Sequence, residues 1–514
     1  MDPATLQVWI SRLTGVAEEM GAVLRRAAYS PNIKERADCS CALFTPDGTL
    51  LVQAEHIPVH LGSMPAAVRA AIDACGARVQ PGDQIVVNDP FQGGTHLNDI
   101  TFVAPVYADD NALLGWAANR AHHADLGGMT PGSLPPDATE IFQEGLRIPP
   151  VVWSPDVEAI IVAASRTPDE RRGDLDAQAG ANRLGGQRLR ELAASTAVLD
   201  EIVAYGERRM RAEIALLPDG EYRFADVLDS TGGPDGARPA DIEVAVTIAG
   251  DEITFDFTGT DGQRAGSVNA VEAVTVSAVV FALRSVVEPG LPANGGALRP
   301  VHVLAPSGSI VAAIAPVAVG AGNVEVSQRV ADVCLGALAQ AVPERVGAAS
   351  HGTMNTVLLG STGSGGAGFV YYETIAGGQG GRPGGRAGMN GVHTAMTNTS
   401  DTPVEAFERA YPMRVRRYAL REGSGGAGAA PGGDGIVREI EVLEATTLSL
   451  ITERRVSAPW GLAGGEPGAV GENWLLPGGD ESRATKLPDK GTVQLQPGDV
   501  VRIKTPGGGG HGKK

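Results

Sequence analysis

Three of the nine histidines in this chain lie in one short region, and they are the side chains best suited to chemistry. His96 stands in the segment NDPFQGGTHLNDITF, and the adjacent pair His122 and His123 stands in ANRAHHADLGG. Imidazole together with carboxylate is the ligand set that zinc, iron and manganese accept in proteins. The region therefore predicts a site for a divalent metal ion. The competing interpretation is that each histidine only makes local hydrogen bonds.

His96 and Asp99 are the first two predicted ligands, because they follow Gly93-Gly94 at the entry of a predicted strand. Side chains at such a loop are held in place by the regular structure behind it. Adjacent residues in a strand point to opposite faces, so only one of His122 and His123 readily meets His96. We prefer His123, and both residues remain candidates.

Two further carboxylates flank the histidines, Asp89 and Asp125. A histidine that binds a metal usually donates its other N–H group to a carboxylate or a carbonyl oxygen. Asp125 or Asp89 is therefore predicted to act as the base or as the group that orients a metal-bound imidazole.

An upstream block, SPNIKERADCSCALFTPDGTLLVQAEHIPVHLGSMP, contains Asp38, His56 and His60. Pro58 lies between the two histidines and opposes the helical geometry in which residues four apart bind one metal. A structured turn that packs on the site explains this pair equally well. Asp38 precedes an apolar strand, where its carboxylate can reach inward as an additional ligand.

Glycine is unusually abundant, with 69 residues, and it forms three dense clusters: GGQGGRPGGRAG, GSGGAGAAPGGDG and TPGGGG. Consecutive backbone N–H groups can cradle phosphate. However, no cluster has the GxxxxGK[ST] pattern of a phosphate-binding loop, and tight turns are the more common explanation. We therefore expect no nucleotide site in this chain alone. A serine nucleophile is not indicated either, because no GxSxG motif occurs.

Charge and composition exclude several classes of protein. The chain has 42 Lys+Arg and 60 Asp+Glu, and its formal charge of -18 repels nucleic acid and anionic membranes. The start of the sequence lacks the pattern of a signal peptide, and we find no apolar run of about 18 residues. Four scattered cysteines predict neither a disulfide framework nor a zinc knuckle. A cytoplasmic protein is expected.

Hydrophobic spacing predicts the elements that position these residues. A helix follows Asp2-Pro3 with apolar residues at helical intervals up to Leu24. Short strands follow in CALFTPDGTLLVQAE, which turns at Pro-Asp-Gly, and in QIVVND, ITFVAPVYA and LLGWAANRA. Residues 170–215 are predicted to be helical, with paired glycines splitting the helix.

The pattern changes to short strands after residue 219, and it indicates an α+β, multi-domain fold of mixed helices, short strands and glycine-rich loops. We predict three domains. Residues 1–218 form an N-terminal α/β domain with the metal site, residues 219–360 form a middle domain that is β-rich and then helical, and residues 361–514 form a glycine-rich β domain.

The chain resembles the hydantoinase B/oxoprolinase family along nearly its full length. The blocks that carry this resemblance occur in order in both halves of the chain: SPNIKERADCSCALF, HIPVHLGSMP, NDPFQGGTHLNDITFVAPV, HHADLGGMTPGSLPPDATEIFQEGLRIPP, GNVEVSQRVADV, YYETIAGGQGG, VHTAMTNTSDTPVEAFERAYP, GSGGAGAAPGGDG and TPGGGGHG. Glycine bias alone does not account for so many long blocks in the right order.

The resemblance implies the opening of a cyclic amide, such as a hydantoin, 5-oxoproline or another lactam. ATP with Mg²⁺ would be used by a separate A-type subunit, and the two subunits are expected to form a heterotetramer. The resemblance also implies a metal held by a His-x-x-Asp element and a downstream histidine. That pattern falls on His96, Asp99 and one of His122 or His123, with Asp38 as a weaker candidate.

The alternative within the same superfamily is the metal-bearing subunit of a ketone carboxylase like acetone or acetophenone carboxylase. The shorter length of this chain disfavours that interpretation. A protein that only positions an ATPase subunit is the alternative from a different class.

Overall fold

The computed structural model describes residues 1–54, 57–233, 238–361 and 368–514. Helices and several small sheets form a mixed α+β fold, as the sequence predicted. The helices are α1 Pro3–Ala27, α2 Pro31–Lys34, α3 Ser63–Cys75, α4 Pro155–Ala164, α5 Pro168–Leu192, α6 Thr196–Ile214, α7 Glu272–Arg284, α8 Gly295–Leu298, α9 Ser327–Ala341 and α10 Val404–Ala410. Within the described ranges, no helix is both long enough and apolar enough to cross a membrane.

Helix α1 begins where the sequence predicted. Asp2 caps it by accepting hydrogen bonds from the backbone N–H groups of Ala4 and Thr5, and Pro3 occupies the first turn. Its buried stripe, which includes Leu13 and Met20, faces the interior. The predicted first helix is confirmed.

The predicted split of the following helical region at its paired glycines is wrong. Helix α5 runs unbroken through Gly185 and Gly186, and the chain breaks only at Ala193, whose φ is +50°. Gly185 is instead a point of close helix contact, because a Cβ atom there would lie 2.3 Å from Met20 Sδ of α1. The glycine allows two helices to approach each other.

The first sheet contains all five predicted strands and one more. Its order is β2-β1-β5-β4-β3-β6, with all pairs antiparallel. The strands are β1 Cys39–Phe44, β2 Leu50–Ala54, β3 Ile85–Val87, β4 Asp99–Tyr107, β5 Leu113–His122 and β6 Val151–Val152. Helices α1 and α5 pack on one face and α3 packs on the other, so both faces are buried. A polar side chain on this sheet is therefore enclosed by protein.

The second sheet begins at the predicted change of character near residue 219. Its order is β10-β9-β8-β7, and its strands are β7 Gly220–Leu228, β8 Ala240–Ala249, β9 Glu252–Asp256 and β10 Val301–Leu304. Helix α9 packs on it with α7 alongside, and together they form the largest apolar core.

Two further sheets fill the C-terminal part. One has the order β12-β11-β15-β18 and the other β13-β14-β19-β16-β17. The strands are β11 Thr356–Ser361, β12 Phe369–Thr374, β13 Met413–Arg421, β14 Gly435–Val442, β15 Thr446–Ile451, β16 Glu472–Leu476, β17 Thr485–Lys486, β18 Lys490–Leu495 and β19 Val500–Lys504. Strand β11 crosses the predicted boundary at residue 360 and pairs with the later strands β12 and β15. The division into three domains remains our proposal.

The glycine clusters pack against one another, mostly as segments outside helices and strands. A Cβ atom at Gly378 would lie 1.9 Å from Gly433 O, so only glycine permits this spacing. The backbone N–H of Gly378 donates to Pro506 O, and that of Gly381 donates to Gly509 O. Glycine clusters permit both tight turns and close backbone approach: close approach explains Gly378, while Gly384 and Gly385, each at φ +74°, adopt the left-handed conformation found in turns. Many of their N–H groups donate to backbone oxygens of neighbouring segments.

Candidate metal centre

The side chains of His96, Asp99 and His122 meet in the interior. Asp99 Oδ1 lies 3.1 Å from His96 Nε2 and 3.2 Å from His122 Nδ1, and the two histidine nitrogens are 3.1 Å apart. All three residues are at most 2% exposed. One ligand atom from each lies within 4.8 Å of the others, which is the spacing that a single cation needs.

The pairing of two strands creates this juxtaposition. Asp99 begins β4 and His122 ends β5, and the register places them directly opposite each other. His96 reaches them from the loop before β4, where Gly93 adopts φ +86°. Asn88, at the start of that loop, accepts the backbone N–H of Ile148 and donates to Leu97 O, so the loop is anchored on both sides.

The second carboxylate oxygen of Asp99 is held separately. Thr95 Oγ1 donates to Asp99 Oδ2 at 2.5 Å, and His60 Nε2 lies 3.5 Å from the same oxygen. His60 Nδ1 in turn contacts Ser40 Oγ at 2.9 Å. These contacts direct Oδ1 toward His96 and His122. The sequence left a ligand role and a packing role open for His60, and the structure places it against Asp99 Oδ2, outside the three-residue group. His56 lies outside the described residues.

The electrostatics of the cluster suit a cation. Burial opposes ionisation of Asp99, but the charge on His96 and the hydrogen bonds from His122, His60 and His96 outweigh it and hold the Asp99 pKa well below its usual value. Burial lowers the pKa of His122 to about 4, although Asp99 opposes that shift. At neutral pH the site therefore presents the ionised Asp99 carboxylate and the neutral His122 imidazole, which are ligand forms that metals bind. Burial opposes the charged form of His96, but the charge of Asp99 and its hydrogen bond outweigh burial and raise the His96 pKa, so His96 would release a proton on binding a metal.

Asp38 lies beside the cluster without joining the three-residue group. Its backbone oxygen accepts the N–H of His122 at 3.0 Å, and its side chain is buried. Burial and the nearby charge of Asp99 raise the Asp38 pKa to about 7, while Arg36 and His96 oppose the shift. A positive charge at the cluster would favour the ionised form of Asp38.

His123 points to the opposite face of the sheet. Its Nε2 lies 2.8 Å from Gln178 Oε1 on α5, and burial lowers its pKa to about 3. The expectation from strand alternation holds, since only one histidine of the pair meets His96. That residue is His122, not the preferred His123, because His122 is the one opposite Asp99 in the register.

Asp125 and Asp89 are not brought into the three-residue group. Asp125 Oδ2 pairs with Arg166 Nη1 at 2.9 Å and also accepts the backbone N–H of Gly132. Asp89 Oδ2 pairs with Arg147 Nη2 at 2.8 Å. Both carboxylates fix loops around the site. The predicted base or imidazole-orienting roles have no supporting contact among the described residues.

Two residues that contact the site were missed at the sequence level. Asn323 Nδ2 lies 3.1 Å from His96 Nε2, and the ring of Tyr372 stacks on His122 with centroids 4.5 Å apart. Arg36 in turn lies over the Tyr372 ring, 5.0 Å from its centroid. Asn323 and Tyr372 stand in the blocks GNVEVSQRVADV and YYETIAGGQGG, which were recognised as motifs without a role.

A third missed residue is Glu144. Its Oε1 accepts the backbone N–H groups of Val319 and Gly320. Burial raises its pKa to about 7, although these hydrogen bonds and the charge of His96 oppose the shift. Gly320 O lies 3.4 Å from His96 Nδ1, so Glu144 braces the segment behind that histidine.

These features define a mixed α+β protein with a buried histidine–aspartate group of the kind that holds divalent cations. The profile of the Hydantoinase B/oxoprolinase family matches residues 2–514, and the chain belongs to that family.

Three relatives illustrate its range. An uncharacterised protein of Methanocaldococcus jannaschii is 41% identical over 100% of this chain and 91% of its own. The 5-oxoprolinase 1 of Arabidopsis thaliana is 39% identical over 99% of this chain, which spans only 42% of that protein. A protein of Pseudomonas sp. (strain NS671), described as a candidate B-type subunit of a D-/L-hydantoinase, is 33% identical over 100% of this chain and 90% of its own.

Two solved structures share the fold. The ATP-dependent caprolactamase of Pseudomonas jessenii is 29% identical, with a TM-score of 0.88 over 100% of this chain and 91% of that one. The nucleotide-free acetone carboxylase is 19% identical, with a TM-score of 0.91 over 99% of this chain and 76% of that one. The second likeness concerns the fold alone.

Proposed function

We propose that this chain is the amide-opening, B-type component of an ATP-dependent hydrolase of cyclic amides such as a hydantoin, 5-oxoproline or a related lactam. The observation that carries the proposal is the buried His96–Asp99–His122 group within a chain of the Hydantoinase B/oxoprolinase family. The structural likeness of this chain to an enzyme named ATP-dependent caprolactamase supports ATP-dependent opening of a cyclic amide as the reaction class.

His96, Asp99 and His122 would hold a divalent metal ion, namely zinc, iron or manganese, with Asp38 as a further ligand. A metal ion bound there would supply Lewis acidity, which would lower the pKa of water or polarise the amide carbonyl group. The protein contributes the arrangement. Asp99 stays ionised, and Thr95 and His60 restrain its second oxygen.

The surrounding residues exclude bulk water and hold the imidazoles in place. Tyr372 covers one face of the His122 ring, and Asn32 Nδ2 donates to His122 O at 2.7 Å. The water that attacks the amide carbon would then be one held inside the site and not one from bulk solvent. A dry, fixed site strengthens each electrostatic contact.

ATP would be used by an A-type partner. Glycine N–H groups that could bind phosphate are instead bonded across the clusters, as at Gly378 and Gly381. This chain also spans about two fifths of the Arabidopsis oxoprolinase but nine tenths of the candidate hydantoinase component from Pseudomonas. The description of the Pseudomonas relative as a B-type subunit supports a separate A-type component, with which we propose that this chain assembles as a heterotetramer.

The test is a reconstitution with matched omissions. The chain is purified alone and with its A-type partner, and loss of hydantoin, 5-oxoproline and ε-caprolactam is followed with and without Mg-ATP. We expect turnover only when the chain, the partner and Mg-ATP are all present. Turnover by the chain alone without ATP would refute the divided mechanism. Bicarbonate-dependent consumption of a ketone instead of an amide would favour the carboxylase alternative.

A further inference from the structure

We propose that Asn323 binds the ring amide of the substrate and so selects cyclic amides over lactones and ketones of the same shape. The inference deepens the proposed function and rests on it. Asn323 stands in the block GNVEVSQRVADV and lies 227 positions after His96 in the sequence.

The position of Asn323 points to the reacting end of the site. Its Nδ2 lies 3.1 Å from His96 Nε2, the same nitrogen that lies 3.1 Å from both Asp99 Oδ1 and His122 Nδ1. The carboxamide thus contacts the histidine nitrogen that lies beside the other two ligand atoms. Asn323 is only 4% exposed, and its Oδ1 has no hydrogen-bond partner among the described residues.

A buried polar atom without a partner is rare and costs free energy, so a ligand or water is expected beside it. The Nδ2 group of the same carboxamide would also lose its hydrogen-bond partner when a metal binds to His96. A histidine nitrogen that binds a metal has no lone pair left to accept a hydrogen bond. When His96 Nε2 is a ligand, Asn323 Nδ2 also needs a new acceptor.

The backbone around Asn323 is hydrogen-bonded and closely packed, which helps to hold a recognition residue in place. Residues Gly322–Val326 form a π-helical turn that leads into α9, and such turns are frequent at functional sites. Ser327 Oγ donates to Asn323 O at 2.7 Å. A Cβ atom at Gly322 would lie 2.0 Å from Asn269 O, so this turn is pressed against its neighbour.

A carboxamide is chemically complementary to a cyclic amide. The ring holds its amide cis, so the N–H donor and the C=O acceptor lie on one edge, matching Oδ1 and Nδ2 of Asn323. If the amide oxygen has been phosphorylated, the ring nitrogen becomes an acceptor, and Nδ2 can donate to it. A lactone has a ring oxygen and a ketone has a carbon at that position, and neither can donate to Oδ1.

The test measures binding to the full-length, metal-loaded chain without ATP. The probes are ε-caprolactam with ε-caprolactone, 5-oxoproline with its lactone counterpart, and hydantoin. Dissociation constants are obtained by ligand-observed NMR for the wild type, Asn323→Ala and Asn323→Leu, with bound metal measured in each. Asn119→Ala is the matched control, because this buried asparagine lies on β5 but bonds to Gln178 and Asn182 of α5.

We expect the wild type to bind ε-caprolactam and 5-oxoproline about 30-fold more tightly than their lactone counterparts, which corresponds to about 2 kcal/mol at 1.4 kcal/mol per factor of ten. Both Asn323 variants should lose this preference and keep their metal. Asn119→Ala should keep the preference even if it is less stable. The leucine variant retains bulk, so agreement between the two variants separates lost hydrogen bonds from a cavity.

Three results would overturn the inference. An unchanged amide preference in both variants would do so while leaving the proposed function intact. Loss of metal from both variants would make Asn323 a residue of the metal site rather than of substrate recognition. If the wild type bound none of the amides, Asn323 would have no amide to select. The ATP-dependent reconstitution decides the proposed function separately.

Discussion

Replacing the two adjacent histidines one at a time should separate metal binding from folding. His122 lies 3.2 Å from Asp99 Oδ1 and 3.1 Å from His96 Nε2, whereas His123 lies 2.8 Å from Gln178 on the other face of the sheet. We therefore expect His122→Ala to weaken metal binding and His123→Ala to weaken the fold. Because the two side chains point to opposite faces of the first sheet, each variant is the matched control for the other.

The magnitudes follow from what each residue contacts. Structural metal sites with about four ligands contribute about 10–16 kcal/mol, so one ligand accounts for about 3 kcal/mol. His122→Ala should then raise the metal dissociation constant about 100-fold. His123→Ala leaves Gln178 Oε1 buried without this partner, which costs about 1–3 kcal/mol of unfolding free energy.

The assay has two arms. Zinc and manganese affinities are measured by titration against a competing chelator, and the unfolding free energy is measured by denaturant titration of chelator-treated protein. We expect His122→Ala to change the first quantity and His123→Ala mainly the second. Loss of metal in His123→Ala with retention in His122→Ala would refute the assignment of His122.

Two further predictions concern the fold. Gly185→Ala should lower the unfolding free energy by about 1–3 kcal/mol, because the new Cβ atom would lie 2.3 Å from Met20 Sδ. Gly186→Ala should leave the unfolding free energy unchanged or raise it, because the nearest atom to its Cβ would be 3.4 Å away. Equal thermal shifts in the two variants would contradict this. Burial lowers the pKa of both His351 and His393 to about 3. The unfolded chain therefore takes up protons first, and stability should fall as pH drops from about 6.5 toward 3, by about 1.4 kcal/mol per pH unit for each histidine. Denaturant titrations at several pH values check this, and a slope unchanged in His393→Asn would contradict it.

Local patterns were enough to predict the elements around the site. Apolar spacing and the Asp2 cap located α1, and alternating runs between turn residues located the strands of the first sheet, because those signals depend on neighbouring residues. His96 and Asp99 stood out for the same reason. Their types and spacing are visible within a few positions.

Features that depend on pairing or packing could not be predicted. The choice of His122 over His123 follows from the register of β4 and β5, which no local pattern reveals. Asn323 and Tyr372 reach the site only through tertiary contacts. The paired glycines of α5 looked like a break because their close approach to α1 is invisible in the sequence.

We propose that the His96–Asp99–His122 group holds the metal on which amide opening depends. The most direct measurement follows ATP-dependent amide loss by the chain and its partner after the chain has been stripped with a chelator and then reloaded with zinc, iron or manganese. We predict that activity disappears when the metal is removed and returns when the wild type is reloaded. Activity should not return in His96→Ala. His302→Ala, which replaces an exposed histidine, should behave like the wild type. Full ATP-dependent activity in the stripped wild type, or in His96→Ala without bound metal, would contradict the claim.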